Sequence, residues 1–410
     1  MNLRCLIILI SMSFIVACSN EQPSLQKSAS PKNHPATANA SELKDTSRIY
    51  FTGRAVPGAN IFSVNLQHQL QRHTYNTGGR EIDFTLDKQG NLFFTSSRVL
   101  PEDREARLEL GKYGRRRQDL NVFYLPNGEY EEKLKHIAQA IEKSSQPELR
   151  AQVSRDGKFY SFVRTVLPAN PYDEDAESTD ELYVKHGLTG EAKKIFSTNI
   201  IINPQWSHDN KKLLFASHNL DKNKIQLILY DTASQSNTVL LENPWGANQI
   251  DSPQWLPGDD KISLILHPVE RKQLRTLYLL DIQSKALQVI SKANHSVQSP
   301  ISWSADGTQA LYAAVIDTEQ DLSVLDIRAD MDVTMHIFLQ SLGADPKQLT
   351  QEDKAFVTWP VFSPDHQKIA YKYNKELRAR TSELRVMDLN GKLLDTLSEN
   401  VQPGSHVIWQ

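Results

Sequence analysis

The chain has 410 residues, of which 39% are hydrophobic and 23% are charged. Its 46 basic and 49 acidic side chains nearly cancel, which leaves a formal net charge of −3 at pH 7. Because this balance would not attract a phosphate backbone, we expect no nucleic-acid partner. Both cysteines, Cys5 and Cys18, lie near the N-terminus, so the rest of the chain has no thiol for a disulfide.

The first residues have the pattern of a secretory signal peptide. Arg4 precedes a largely apolar run from Cys5 to Val16, which is too short to cross a membrane as an ordinary helix. The run ends in Ile15-Val16-Ala17-Cys18, which resembles the lipobox of bacterial lipoproteins. That resemblance implies a signal peptide over 1–17 and acylation of Cys18 by fatty acids such as palmitate. An ordinary signal peptide, cut near Ala17, is the alternative.

Residues 18–46 comprise the lipidated cysteine and a segment rich in Ser, Ala, Asn, Lys and Pro, without periodic apolar residues. This composition predicts a disordered tether, which is either a spacer or a mere connection. Ser19 is the residue type that lets bacterial lipoproteins travel on to the outer membrane. We therefore expect a lipid anchor on the periplasmic side of the outer membrane, followed by a folded domain over 47–410.

A short phrase recurs six times in the folded part: an apolar or aromatic residue, usually a Ser or Thr, then an Asp and a polar turn. The copies lie about 47 to 69 residues apart, a period typical of units that bury their faces by stacking on one another. They are Phe84-Thr85-Leu86-Asp87, Val153-Ser154-Arg155-Asp156, Trp206-Ser207-His208-Asp209, Trp255-Leu256-Pro257-Gly258-Asp259, Trp303-Ser304-Ala305-Asp306 and Phe362-Ser363-Pro364-Asp365.

Each copy is followed by further β-type runs, as in residues 204–241, where four short strands alternate with turns. Four such strands make one antiparallel sheet, the blade of a β-propeller. We interpret Ser-x-Asp as turn chemistry, because both side chains bond to nearby backbone N–H groups. The aromatic residue before it is interpreted as core between blades.

The two ends of the folded part supply one more blade. His406-Val407-Ile408-Trp409 has the pattern of a first strand, and Arg48-Ile49-Tyr50-Phe51-Thr52 that of a second strand. Pairing the N- and C-terminal strands would close the ring and remove both sheet edges. The predicted fold class is therefore all-β, a β-propeller of seven blades, with six or eight blades as the alternatives.

The fullest copies, Pro204 to Phe215 and Pro360 to Tyr371, follow the pattern Pro-x-Trp-Ser-x-Asp-x-Lys-x-Leu-x-Phe in outline. The pattern resembles the WD40-like repeat of TolB-type β-propellers, over most of residues 48–410. This resemblance implies a fold more than a function, because similar blades belong to prolyl oligopeptidase-type peptidases and oligogalacturonate lyases. The chain departs from TolB in having a tether where TolB has an α/β domain, and from the peptidases in lacking a hydrolase domain.

Two insertions are densely charged. Residues 101–118 end in Arg115, Arg116 and Arg117, and residues 171–181 are acidic. Charge runs are usually solvated loops. The functional alternative is that the three arginines bind a carboxylate-bearing partner, a lipid phosphate or a glycan through their guanidinium groups.

No catalytic or cofactor motif is present in the sequence. It contains no Gly-x-Ser-x-Gly, Walker, Rossmann, EF-hand or His-Glu-x-x-His pattern. Scattered histidines such as His208, His218 and His267 are interpreted as solvated loop or strand-end residues, so we expect no catalytic residue, metal or cofactor. Their convergence on a divalent metal in the central channel, as in the lyases that the fold resembles, is the alternative.

These features predict a monomeric, lipid-anchored interaction scaffold of the bacterial cell envelope, which docks a protein or peptide. It would be TolB-like, without TolB's N-terminal domain, and not an enzyme. The alternative function is polysaccharide binding, or catalysis like that of an oligogalacturonate lyase, with a metal in the central channel.

Overall fold

The computed structural model describes residues 47–410, except 55–57, 77–78, 99–119, 133–134, 136, 143, 145, 169–176, 245–246, 269–273, 317–333, 353–354 and 377–378. The predicted signal peptide, Cys18, the tether and the arginines Arg115, Arg116 and Arg117 lie outside the described residues and remain predictions. Within the described residues all of the helix- or strand-length elements are β-strands, which confirms the all-β class. No helix of this part of the chain is long and apolar enough to span a membrane.

Five antiparallel sheets contain four strands each, joined in chain order. The first two are β4 (Glu81–Leu86), β5 (Leu92–Ser96), β6 (Asn121–Leu125) and β7 (Gln139–Ala140), then β8 (Glu148–Val153), β9 (Phe159–Val166), β10 (Thr179–His186) and β11 (Ala192–Thr198). The third is β12 (Ile200–Trp206), β13 (Lys212–Asn219), β14 (Lys224–Asp231) and β15 (Ser236–Glu242). The others are β16 (Ala247–Trp255), β17 (Lys261–Pro268), β18 (Thr276–Asp281) and β19 (Leu287–Val289), then β20 (His295–Trp303), β21 (Gln309–Ile316), β22 (Met335–Ser341) and β23 (Lys347–Gln348).

The remaining strands form one 8-stranded sheet. It contains β24 (Phe356–Phe362), β25 (Lys368–Asn374), β26 (Ser382–Asp388) and β27 (Leu393–Val401), and beyond them β1 (Ile49–Arg54), β2 (Ala59–Val64) and β3 (Leu70–Arg72). The last strand, β28 (Val407–Trp409), pairs antiparallel with β1.

The structure therefore contains five separate four-stranded sheets, whereas the sequence predicted seven blades. The difference arises where β27 meets β1, at the pair Gly53 and Val401. A Cβ atom on Gly53 would lie 2.7 Å from the Phe62 ring of β2 and 3.3 Å from the Asn400 carbonyl oxygen of β27, so glycine at position 53 favours the close approach of the two strands. The Gln402 N–H also donates to the Thr52 carbonyl oxygen (2.8 Å), which ties β1 to the end of β27.

The hydrophobic core lies between neighbouring sheets. Leu214 and Leu227 of the third sheet, for example, pack with Ile250 and Leu264 of the fourth, and all four are fully buried. Each strand that begins a sheet contacts the first strand of the next sheet, so these first strands form the innermost layer. Successive side chains of a strand point to opposite faces of its sheet, so each sheet has two buried faces, one toward each neighbouring sheet.

The aromatic residues of the repeated phrase pack between sheets, as the sequence predicted. The Trp255 indole N–H donates to the Gln205 carbonyl oxygen of the preceding sheet (3.1 Å), and the Trp303 indole N–H donates to Ser263 Oγ (2.9 Å). The Trp206 ring stacks on Phe159, with 5.4 Å between ring centroids. Each indole thus bridges its own sheet and the preceding one.

Candidate functional site

The repeated Ser-x-Asp residues build the turn that follows a first strand. Ser304 Oγ donates to Asp306 Oδ1 (2.6 Å) and accepts the Gln309 N–H (2.9 Å), while Asp306 Oδ1 accepts the Thr308 N–H (3.0 Å). The same hydrogen bonds recur at Ser154, Ser207 and Ser363. The interpretation as turn chemistry is confirmed at these four copies.

These hydrogen bonds also favour the ionised carboxylates. The bond from Ser304, with those from Thr308, lowers the pKa of Asp306 to about 2. At Asp365 the bond from Ser363 likewise lowers the pKa. A hydroxyl that donates to an ionised carboxylate and accepts a backbone N–H is fully used in the turn.

Two copies depart from this arrangement. In the first copy Asp87 takes the place of the serine, because its N–H donates to the Asn91 carbonyl oxygen (3.2 Å) and its Oδ1 accepts two backbone N–H groups of the turn. Thr85, which the sequence pattern aligned with the serines, lies within β4, so that alignment is wrong by two residues. In the fourth copy Leu256 takes the serine's place.

Successive turns are joined to one another by hydrogen bonds. We call the turns 87–90, 154–157, 207–210 and 256–259 the turn face. From turn to turn, the Lys88 N–H donates to the Arg155 carbonyl oxygen (3.1 Å), the Asp156 N–H to Asn210 Oδ1 (3.2 Å) and the Asp209 N–H to Asp259 Oδ2 (2.8 Å). The backbone of the turn face is therefore fixed across four sheets.

An open cavity of about 200 Å³ lies in the turn face, where β4, β8 and β12 end. Its polar side chains come from the repeated phrase and from the strand residues just before it. The lining residues are Leu86, Gln152, Val153, Arg155, Gln205, Trp206, Ser207 and His208. The cavity thus combines an apolar wall with amide, guanidinium and imidazole groups.

Deeper along the first strands, a bulge recurs three residues before the strand ends. Pairing shifts register there, and the bulge residues Arg150, Asn203, Ser252 and Trp359 have positive φ angles of 58°, 43°, 45° and 56°. Positive φ is costly for residues other than glycine, so the surrounding structure must hold these side chains in place. Asp83 occupies the corresponding position of β4, and His406 lies immediately before β28, three residues before that strand ends.

Around Arg150 lies a set of charged side chains that we call the inner polar group: Asp83, Arg150, Asp180, Asp251, His267 and Arg275. The Arg150 N–H donates to Asp83 Oδ2 (3.1 Å). Burial lowers the pKa of Arg150, against the opposing fields of Asp180, Asp83 and Asp251. Asp251 Oδ1 accepts from Asn203 Nδ2 (3.0 Å) and its Oδ2 faces His267 Nε2 at 3.5 Å. The group joins residues of the first, second and fourth sheets.

A second buried group lies beside it, at β25 and the segment before β28. Lys372 is 1% exposed, and its Nζ donates to the carbonyl oxygens of Pro403 (2.5 Å) and Ser405 (2.8 Å). Burial lowers the pKa of Lys372 to about 7. The His406 ring stacks on Trp359 with 4.6 Å between centroids, and burial lowers its pKa as well.

The structure places the histidines of the sequence analysis apart from one another. His208 Nδ1 lies 2.8 Å from Asp259 Oδ1 on the turn face, His218 is buried in β13, and His267 is buried beside Asp251. Among the described residues, no three His, Cys, Asp or Glu side chains come together in a way that could hold a metal ion. The described part of the chain thus gives no support to the metal-centre alternative.

Arg150, Arg155 and Lys372 were not among the site residues predicted from the sequence. The sequence does contain a signal for Arg150 and another for Lys372. Bulge residues Asn203, Ser252 and Trp359 each precede the proline of the repeated phrase, which points to Arg150 at the same place in its copy. Lys372 interrupts the apolar run of β25. Nothing in the sequence distinguishes Arg155 from the other variable residues within the turns.

Comparisons with known proteins agree with the fold. Residues 191–334, less than half of the chain, match the N-terminal region of dipeptidyl peptidase IV (DPP IV). No curated protein sequence matches the chain. Solved structures match the chain in fold, at low sequence identity.

Oligogalacturonate lyase from Vibrio parahaemolyticus aligns with a TM-score of 0.56 and 12% identity, over 80% of this chain and 83% of the lyase. The β-propeller domain of the Trilobed protease from Pyrococcus furiosus aligns with a TM-score of 0.52 and 15% identity, over 78% and 83%. TolB from Acinetobacter baumannii aligns with a TM-score of 0.44 and 13% identity, over 80% and 82%.

The fold therefore defines a β-propeller of four-stranded antiparallel sheets. The β-propeller fold that the resemblance to TolB-type propellers implied is confirmed. At these identities the likeness shows the fold alone, and function has to be argued from the site.

Proposed function

We propose that this chain is a lipid-anchored scaffold of the bacterial cell envelope, whose turn face docks a protein or peptide. Cys18 would carry the lipid, at the periplasmic side of the outer membrane, and the chain would act as a monomer. The observation that supports docking is the turn face itself: its backbone is fixed by hydrogen bonds from turn to turn, and it contains a cavity of about 200 Å³. Preformed surfaces bind with a smaller loss of conformational entropy than mobile ones.

The repeated hydroxyls favour binding over nucleophilic catalysis. An activated serine needs a general base that takes its proton. Ser154, Ser207 and Ser304 each donate instead to the aspartate two residues on, and each accepts a backbone N–H. Ser154 and Ser207 of the turn face, like Ser304 in the turn of the fifth sheet, therefore have a structural role, which favours recognition as the function of this face.

We also propose that the eight-stranded sheet consists of two blades, which brings the total to seven and closes the ring. In this proposal β24–β27 form one blade, and β28 with β1–β3 forms the other. The pairing of Phe51 with Val407 supports it, as does the bond from Gln410 Nε2 to the Asp87 carbonyl oxygen (2.9 Å) at the first sheet. The single pair Gly53–Val401 would then be a contact between blades.

Crosslinking in intact cells tests the docking function. Cells that produce the full-length, tagged protein are treated with formaldehyde, and the proteins bound to it after purification are identified. We expect one envelope protein to be recovered, and its yield to fall when Arg155→Trp places a large side chain over the cavity. Val289→Trp is the matched control, since Val289 is 53% exposed on the outer strand β19.

Equal recovery with both variants would place the docking site elsewhere, and recovery of no protein would contradict the scaffold. Binding of soluble oligogalacturonate by the purified protein would favour the polysaccharide alternative. That alternative shares the fold of the lyase, but the inner polar group contains three carboxylates and two guanidinium groups, which is an unfavourable surrounding for a polyanion.

A further inference from the structure

The cavity in the turn face has an unusual balance of charge. One guanidinium group, one imidazole, two primary amides and a serine contribute to its lining, and no carboxylate does. Yet aspartates are abundant in the surrounding turns. If these aspartates paired with the guanidinium group of the cavity, they would neutralise its charge.

The neighbouring carboxylates are occupied by the turns themselves. Asp156 Oδ1 accepts from Ser154 Oγ and from the Lys158 N–H, and Asp87 accepts two backbone N–H groups and Asn91 Nδ2. Asp259 accepts the N–H groups of His208 and Asp209. Each carboxylate is held in place by donors other than arginine.

The Arg155 guanidinium group is the cation that these carboxylates do not neutralise. Its side chain is exposed, and within the described part of the chain it has no ion pair and no side-chain hydrogen bond to protein. Its backbone is nevertheless fixed, because its carbonyl oxygen accepts the Lys88 N–H of the neighbouring turn (3.1 Å). An anchored arginine with free donors is suited to bind a carboxylate through two parallel hydrogen bonds.

The other polar groups of the cavity are also suited to an anion. Gln152 and Gln205 carry amide N–H donors on two neighbouring first strands, and both line the cavity. His208 lines it as well, and its Nδ1 lies 2.8 Å from Asp259 Oδ1. Leu86, Val153 and the Trp206 ring supply an apolar wall for carbon atoms next to the carboxylate.

We propose that this cavity binds a carboxylate of the docked peptide, with Arg155 as the main recognition residue. The inference rests on the proposed docking function and adds the chemistry of its ligand. A volume of about 200 Å³ is small beside ligand pockets, which typically have about 300–1,000 Å³. One acidic side chain or one C-terminal residue fits this space, whereas an oligogalacturonate would need a longer groove.

Three synthetic peptides serve as probes of the purified full-length protein. One is acetyl-Ala-Ala-Leu with a free C-terminal carboxylate, the second is its C-terminal amide, and the third is acetyl-Ala-Glu-Ala amide, with a side-chain carboxylate. Binding is measured by isothermal titration calorimetry up to about 10 mM peptide, because a single subsite binds weakly. We expect saturable binding of at least one carboxylate peptide, and affinity about tenfold lower for the uncharged amide.

Variants assign this binding to the cavity. Arg155→Gln is expected to lower the affinity of the carboxylate peptide about tenfold, and Arg155→Lys to restore part of it, because lysine keeps the charge and loses the fork of donors. Arg54→Gln is the matched control, since Arg54 is exposed at the end of β1. All variants should keep the melting temperature of the wild type.

Equal affinities for wild type and Arg155→Gln, or for the free carboxylate and the amide, would overturn the proposal. So would the lack of saturable binding by all three peptides, and so would tighter binding of digalacturonate. The first and third probes distinguish a chain end from an acidic side chain. If Arg155→Gln loses peptide binding but the wild-type protein crosslinks no partner in cells, docking fails while the subsite stands. If the wild type crosslinks a partner but Arg155→Gln binds the peptides as tightly as the wild type, the subsite fails while docking stands.

Discussion

Lys372 Nζ donates to the Ser405 carbonyl oxygen at 2.8 Å, in a buried place where, among the described residues, no carboxylate pairs with the lysine. The bond links β25 to the segment that leads into β28. Its carbonyl acceptors can hold an ammonium group, but they do not offset the full cost of burying a charge. The bond therefore makes the attachment of the last strand depend on pH.

Because Lys372 is buried, we expect the free energy of unfolding to rise with pH. Its pKa is about 7 in the folded chain and about 10.4 in an unfolded one, so between these values the unfolded chain binds more protons. The penalty of the buried charge is complete below pH 7 and is relieved as pH rises. We expect the free energy of unfolding to gain roughly 3 kcal/mol from this group between pH 7 and 9.5.

Urea unfolding at several pH values measures the effect. Lys372→Met should abolish the part of the rise that belongs to this group, while Lys392→Met, which changes an exposed lysine, should follow the wild type. Parallel pH profiles for wild type and Lys372→Met would contradict the prediction.

The turn hydrogen bonds predict a stability loss at Ser304. Ser304→Ala removes the acceptor of the Gln309 N–H and the donor to Asp306, in a side chain that is 6% exposed. We expect the free energy of unfolding to fall by about 1–2 kcal/mol. The exposed Ser197 of β11, changed to alanine, is the matched control and should leave stability unchanged within about 0.5 kcal/mol. Equal effects of the two substitutions would contradict the role assigned to the repeated serine.

The turns could be predicted from the sequence because their hydrogen bonds are local. Ser304, Asp306 and Gln309 lie within six residues of one another, so side-chain chemistry alone determines the conformation. The junction of β27 with β1 could not be predicted, since it depends on Gly53 and Val401, at opposite ends of the folded part. The cavity was equally inaccessible, because Arg155 and Gln205 meet only after two sheets have packed.

The pairing of β28 with β1 predicts that the last four residues are essential for stability. Val407 is 3% exposed and pairs with Phe51, and the Trp409 indole N–H donates to Ser47 Oγ (3.0 Å). Deleting 407–410 should therefore leave β1 as an exposed sheet edge and remove buried apolar contacts. We expect the melting temperature to fall by more than about 10 °C, because several kcal/mol are lost at once.

Gln410→Ala, which keeps the strand and removes one side-chain bond to Asp87, is the control for this deletion. It should lower the melting temperature by only a few degrees, since a single partly buried bond contributes about 1 kcal/mol. An unchanged melting temperature after the deletion would contradict the proposed closure of the ring.

The lipobox predicts that Cys18 carries the membrane anchor. In a bacterial host fed with labelled palmitate, the full-length chain should incorporate the label and partition into detergent. Cys18→Ser should abolish both, because the serine hydroxyl cannot replace the thiol in acylation. An N-terminus without acyl chains has little affinity for lipid. Cys5→Ser is the matched control: it changes the other cysteine, lies within the predicted signal peptide and should be labelled like the wild type. No label on the wild type would favour the ordinary signal peptide cut near Ala17, and label on the Cys18→Ser variant would place the acyl group at another residue.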